Sequence, residues 1–135
     1  MPGIITKVFG DIANNFGEVT TPLDTTMLLS LLGSESSERV LIFILARNEG
    51  YATEIARFFD SDLYAIQRQL EKLESGGVLA SRMAGRTRLY VLNPRYPFLK
   101  ELKALLEKAF SFYPEDVRER LVMNRRRPRR RGKPL

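Results

Sequence analysis

Apolar positions along the chain change their period several times, and each change predicts an element. Ile5, Phe9, Ile12 and Phe16 recur at three- and four-residue spacing, the stripe of a helix, although Gly10 and the pair Asn14 and Asn15 weaken it. Asp24 is placed to cap "TTMLLSLL", with Gly33 as its stop. "SSERVLIFILAR" follows as a helix so uniformly apolar that it belongs at the centre of the domain, ending before Gly50. "ATEIARFF" and "LYAIQRQLEKLES" are two further helices separated by "DSD"; in the second, Ile66, Leu70 and Leu73 keep one face inward, and Gly76 and Gly77 close it. Two helices about so short a turn form a helix-turn-helix candidate.

Beyond the glycine pair the pattern shifts toward alternation. "VLASRM" and "RTRLYVL" have strand composition and are joined by a tip at Ala84 and Gly85, which predicts a hairpin over about residues 78–92. Pro94 and Pro97 punctuate its exit, after which Phe98, Leu102, Leu105, Leu106, Ala109 and Phe110 trace a broad apolar stripe on another helix. Pro114 at a first helical position, with Glu115 and Asp116 at the positive end of the helix dipole, starts a last short helix through about Met123. The expected fold is mainly α with a small β-hairpin, in one domain over residues 1–123, and no internal repeat is evident.

Charge adds what periodicity does not. The chain of 135 residues carries a net +6, but residues 1–123 balance 15 Lys and Arg against 16 Asp and Glu, while "NRRRPRRRGKPL" (124–135) holds seven basic residues and no acid. Such a block repels itself and buries nothing, which predicts a disordered basic tail after a neutral body. Its "RGKP" is similar to the arginine-glycine-arginine-proline core of minor-groove hooks, with Lys133 in place of an arginine; a nonspecific polycationic anchor and RNA association are competing readings. Cys and His are both absent, which removes disulfides, thiolate metal sites and the commonest general base and metal ligand, so neither catalysis nor a cofactor or metal is expected. The apolar run 40–46 is far too short to cross a bilayer and no secretory signal opens the chain, so a soluble cytoplasmic protein is expected.

The ordered set "LLGSESSERVLIFIL", "EIARFF", "AIQRQLEKLESGGVL" and "AGRTRLYVLNPRYPFLKELKALL" resembles the ArsR-type winged-helix transcriptional regulators, especially the branch often encoded near minimal nucleotidyltransferases, over about residues 33–110. The resemblance implies a winged helix-turn-helix with additional terminal helices, binding double-stranded DNA as a homodimer to regulate transcription. Metal sensing through Cys and His, common in that family, does not transfer to this chain; an organic effector is left open.

With Asp62 as N-cap, Tyr64, Ala65, Gln67, Arg68 and Gln69 lie near the exposed first turns of a recognition helix over about residues 62–74, with Lys72 further along. Arg and Gln can bond guanine and adenine bidentately, Ala can touch a thymine methyl and Tyr can reach a phosphate. A solvated helix face is the alternative, and Asp60 and Asp62 would oppose phosphate unless they serve as caps. On the hairpin, Arg82, Arg86, Thr87 and Arg88 suit backbone phosphates or a narrow minor groove, or else protect a strand edge. A dimer seam is expected from the terminal helices, through Ile5, Phe9, Phe16, Phe98, Leu102, Leu105 and Phe110, although some of these cover their own core. The rival function is a winged-helix interaction module that assembles with a nucleotidyltransferase-like or transcription-machinery partner.

Overall fold

A computed structural model describes residues 27–123. The stripe of Ile5, Phe9, Ile12 and Phe16, the expected cap Asp24 and the basic tail 124–135 lie outside the described residues. Within them, a mainly helical fold carries a small three-stranded antiparallel sheet. No described helix is long and apolar enough to cross a membrane.

Helix α1 (Leu29–Leu32) is a single turn ended by Gly33, whose φ of 92° is open to glycine at little cost. Helix α2 (Glu35–Arg47) starts on Ser34, whose hydroxyl accepts the Ser37 N–H at 3.0 Å, and stops at Asn48 in the left-handed region. The five residues 40–44 are all buried, so this helix has no solvent face over its middle and forms the axis of the core. Strand β1 (Gly50–Tyr51) passes directly across it: a Cβ on Gly50 would stand 3.0 Å from the Phe43 ring and 3.2 Å from Ile55 Cδ1. Only glycine permits that approach without displacing the ring.

Helices α3 (Ala52–Phe59) and α4 (Leu63–Ser75) follow, with Asp60 in the left-handed region between them. Glu54 accepts the Tyr51 N–H at the start of α3, and Asp62 accepts the Ala65 N–H at the start of α4. Strands β2 (Leu79–Ala84) and β3 (Thr87–Leu92) form the expected hairpin. Its tip is shifted by one residue from expectation: Gly85 and Arg86 make the turn, Gly85 taking a φ of 67° as first central residue of a two-residue loop. β3 lies between β2 and β1, with Gly50 opposite Tyr90 and Tyr51 opposite Leu89. β1 was not expected, because two residues carry no period.

Helix α5 (Leu99–Phe110) packs on α2 through Leu106 and Ala109, with Leu102 and Phe110 partly buried beside them. Helix α6 (Glu115–Met123) adds Val117 and Leu121 to the same core. The carbonyl of Pro114 accepts the Arg118 N–H at 3.0 Å, so the proline stands just before the helix rather than at its first position.

Two charged side chains are built into this interior. The Glu38 carboxylate accepts Leu28 N–H (2.7 Å), Met27 N–H (3.1 Å) and the Tyr113 hydroxyl (2.7 Å), which ties the segment before α1 and the start of α6 to α2. Burial pushes its carboxyl above the ordinary carboxylate range although all three donors favour the anion, and burial beside Glu38 pushes the Tyr113 phenol up as well. Arg47 closes the other end of α2. Its guanidinium donates to the carbonyls of Leu121 (2.9 Å) and Arg120 (3.2 Å), pairs with Glu54 at 3.5 Å, and lies over the rings of Phe43 and Phe58.

Candidate nucleic-acid interface

The local order of α3, turn and α4 decides which side chains of α4 reach solvent. Ile66 and Leu70 are fully buried against α2 and α3, which turns Tyr64, Gln67, Arg68 and Lys72 outward. Tyr64 is 65% exposed, and the Arg68 guanidinium lies 5.7 Å from the centre of its ring. This i, i+4 stacking holds a long, flexible cation near the first turns of the helix, and Lys72 extends the same row by another turn. Ala65 is half-buried beneath them.

Gln69 stands apart from that row. It is half-buried, and its amide oxygen accepts the Ser37 hydroxyl at the N-terminus of α2. At the margin of the buried arc of Ile66 and Leu70, it fastens α4 to α2 instead of facing outward. The expectation that it reads bases is corrected to a packing role.

Of the two acids expected to oppose phosphate, Asp62 caps α4 and Asp60 takes the left-handed position that ends α3. Glu74, further along α4, accepts the Ser81 hydroxyl at 2.6 Å. Ser81 in turn accepts from Arg88 at 3.0 Å, so the hairpin is strapped to the recognition-helix candidate through Arg88, Ser81 and Glu74. The base of the hairpin is fixed independently by Asn93, whose side-chain amide donates to the Gly77 carbonyl at 2.9 Å. Neither Ser81 nor Asn93 announced itself in the sequence; both act across gaps of seven and sixteen residues.

The hairpin arginines do not share a surface. Arg82 pairs across the ladder with Leu89, whereas Arg88 pairs with Met83, and neighbouring pairs project to opposite faces of a sheet. Arg82, Arg86, Thr87 and Arg88 are all exposed, with Arg86 at the tip. Arg57, on the outward side of α3, is also exposed and was passed over in the sequence because it falls before the turn rather than after it. Arg39 braces the turn itself, donating to the Ser61 hydroxyl at 2.9 Å while lying over the Phe59 ring.

The residues expected at a dimer seam divide. Phe98 is 62% exposed and Leu105 38%, whereas Leu102 and Phe110 lean against their own core; Ile5, Phe9 and Phe16 lie outside the described residues. No family model, curated protein or solved structure matches the chain.

Proposed function

We propose that this chain is a cytoplasmic winged-helix regulator that binds double-stranded DNA sequence-specifically as a homodimer. The observation that carries the reading is the outward row of Tyr64, Arg68 and Lys72, with Gln67 beside it, on the helix that follows a three-residue turn and is strapped to an arginine-bearing hairpin. Such a helix is narrow enough for a major groove, and the hairpin beside it supplies cations for backbone phosphates. The succession of α3, a short turn, α4 and a hairpin supports this reading. No catalytic role is assigned to any residue.

Selection of genomic fragments by the purified protein tests the reading. Enrichment of a palindromic site supports it; purely salt-sensitive binding without sequence preference favours instead an interaction module.

Within this reading, Arg68 is the base reader. Arg68→Ala is expected to lose about 1–3 kcal/mol on the preferred site while keeping most affinity for random duplex, measured by competition titration. Equal losses on both duplexes would remove it from that role. Replacing Arg86 and Arg88 together by Ala should weaken binding to both duplexes and flatten the logarithmic salt dependence by at most about two units per protomer. An unchanged slope would mean that the hairpin does not meet phosphate.

A further inference from the structure

The hydrogen-bond relay from Arg88 through Ser81 to Glu74 can run in one direction only. Arginine has donors and no acceptor, an ionised carboxylate has acceptors and no donor, and a serine hydroxyl carries one proton beside its lone pairs. The Ser81 proton therefore goes to Glu74, at 2.6 Å, and a lone pair is left facing the Arg88 guanidinium at 3.0 Å. No other rotation of the hydroxyl satisfies both neighbours.

Sheet register places this relay on the side of the ribbon that meets α4. Ser81 stands opposite Tyr90 and Met83 opposite Arg88, so these four side chains share a face, and Arg88 reaches Ser81 along the diagonal between the strands. Tyr90 is buried and backs the hydroxyl from within. Arg82 projects from the other face and Arg86 from the tip. Among the described residues, Arg88 is the one hairpin arginine tied to the recognition-helix candidate.

Holding the hairpin in place does not require the relay. Its base is already fixed by the Asn93 amide on Gly77, by Leu79 in the core and by β1 paired to β3. Ser81 acts further out, on the direction of one guanidinium. Only Nη1 of Arg88 is engaged, and no ion pair joins Arg88 to an acid among the described residues, so the edge formed by Nε and Nη2 stays open. That edge is the planar fork that takes a phosphate through two parallel hydrogen bonds.

We infer that Ser81 is a positioning residue: held by Glu74, it presets the Arg88 guanidinium for one backbone phosphate at a fixed offset from the outward row of α4. The inference rests on the nucleic-acid reading proposed above and specifies how its two elements are kept in register. A long side chain ordered before binding loses less freedom when it meets its phosphate. Because Glu74 belongs to α4 itself, the phosphate gripped by Arg88 lies at a set distance from the base met by Arg68, and the hairpin contact fixes where the helix reads.

Side-chain NMR and a binding titration on the full chain test it together. Without DNA, the Arg88 Nε–H is expected to be more ordered than those of Arg82 and Arg86, to fall to their level in Ser81→Ala and to recover in Ser81→Thr, which keeps the hydroxyl. An Arg88 as mobile as the other two in wild type overturns the inference, whatever the duplex does. On the preferred site, Ser81→Ala should raise Kd by at least about threefold and Ser81→Thr should stay near wild type, whereas in an Arg88→Ala background Ser81→Ala should cost nothing further. An unchanged Kd, or an equal loss in both backgrounds, overturns the positioning role, the latter because Ser81 would then act through the fold. A wild type that orders Arg88 yet binds no duplex removes the nucleic-acid reading and the phosphate target with it, and leaves the relay as a structural strap.

Discussion

Glu38→Ala is expected to lower the stability of the domain by about 3–5 kcal/mol, because it strips a buried site of its only anion and leaves the Met27 N–H, Leu28 N–H and Tyr113 hydroxyl without their acceptor. Against a typical total of about 5–15 kcal/mol, that is a large fraction. Glu38→Gln keeps the shape but turns an N–H₂ toward donors, so it should also destabilise, by less. Urea unfolding followed by circular dichroism measures both, and a loss under about 1 kcal/mol for Glu38→Ala would show that water replaces the carboxylate.

The pH dependence of this site has a definite sign. The carboxyl is raised in the folded state above its ordinary value of 4.5, chiefly by burial, so the folded protein binds a proton more tightly than the unfolded chain does. Its contribution is therefore fully present below pH 4.5 and is lost as pH rises through the folded value. Measured as wild type minus Glu38→Gln, stability should fall as pH is taken upward from 4.5, and a difference that rises instead contradicts the assignment.

Arg47→Leu is the second large effect, expected at about 3 kcal/mol. The substitution keeps much of the apolar packing of the side chain against Phe43 and Phe58 but removes two charge-assisted hydrogen bonds to the last turn of α6 and the partner of Glu54. Since the lost bonds go to Arg120 and Leu121, the damage should be concentrated in α6. Hydrogen exchange should show α6 amides losing protection before those of α4; uniform loss of protection would assign Arg47 a general packing role instead.

How far these features were legible follows from the reach of each interaction. α2, α3, α4 and the hairpin could be read because each buries residues at its own period: 40–44 continuously in α2, Ile66 and Leu70 at helical spacing in α4. The outward positions of Tyr64, Gln67 and Arg68 come with that period, so most of the candidate interface was visible too. Gln69 was misjudged because the helical wheel places it at the margin of the buried arc, where a partner on another helix decides its direction. Glu38 and Arg47 carry no local signal of burial in the sequence. Their partners, Tyr113 and Leu121, stand 75 and 74 residues away, beyond any local pattern. The apolar stripe from Phe98 to Phe110 was in plain view, but separating the exposed Phe98 and Leu105 from Leu102 and Phe110 required knowing which flank α2 covers.

The opposed directions of Arg82 and Arg88 carry a consequence for how the hairpin can meet a duplex. A ribbon laid flat on the double helix would offer one of these cations to the phosphates and aim the other at bulk water. A ribbon entering edge-on, tip foremost, would present Arg86 to the floor of a groove and one guanidinium to each of its walls. The two sugar-phosphate chains bordering a narrowed groove are the surfaces that such a wedge would touch at once. Cleavage footprints taken with and without the arginine substitutions would then thin on both strands, offset across the groove, rather than along one.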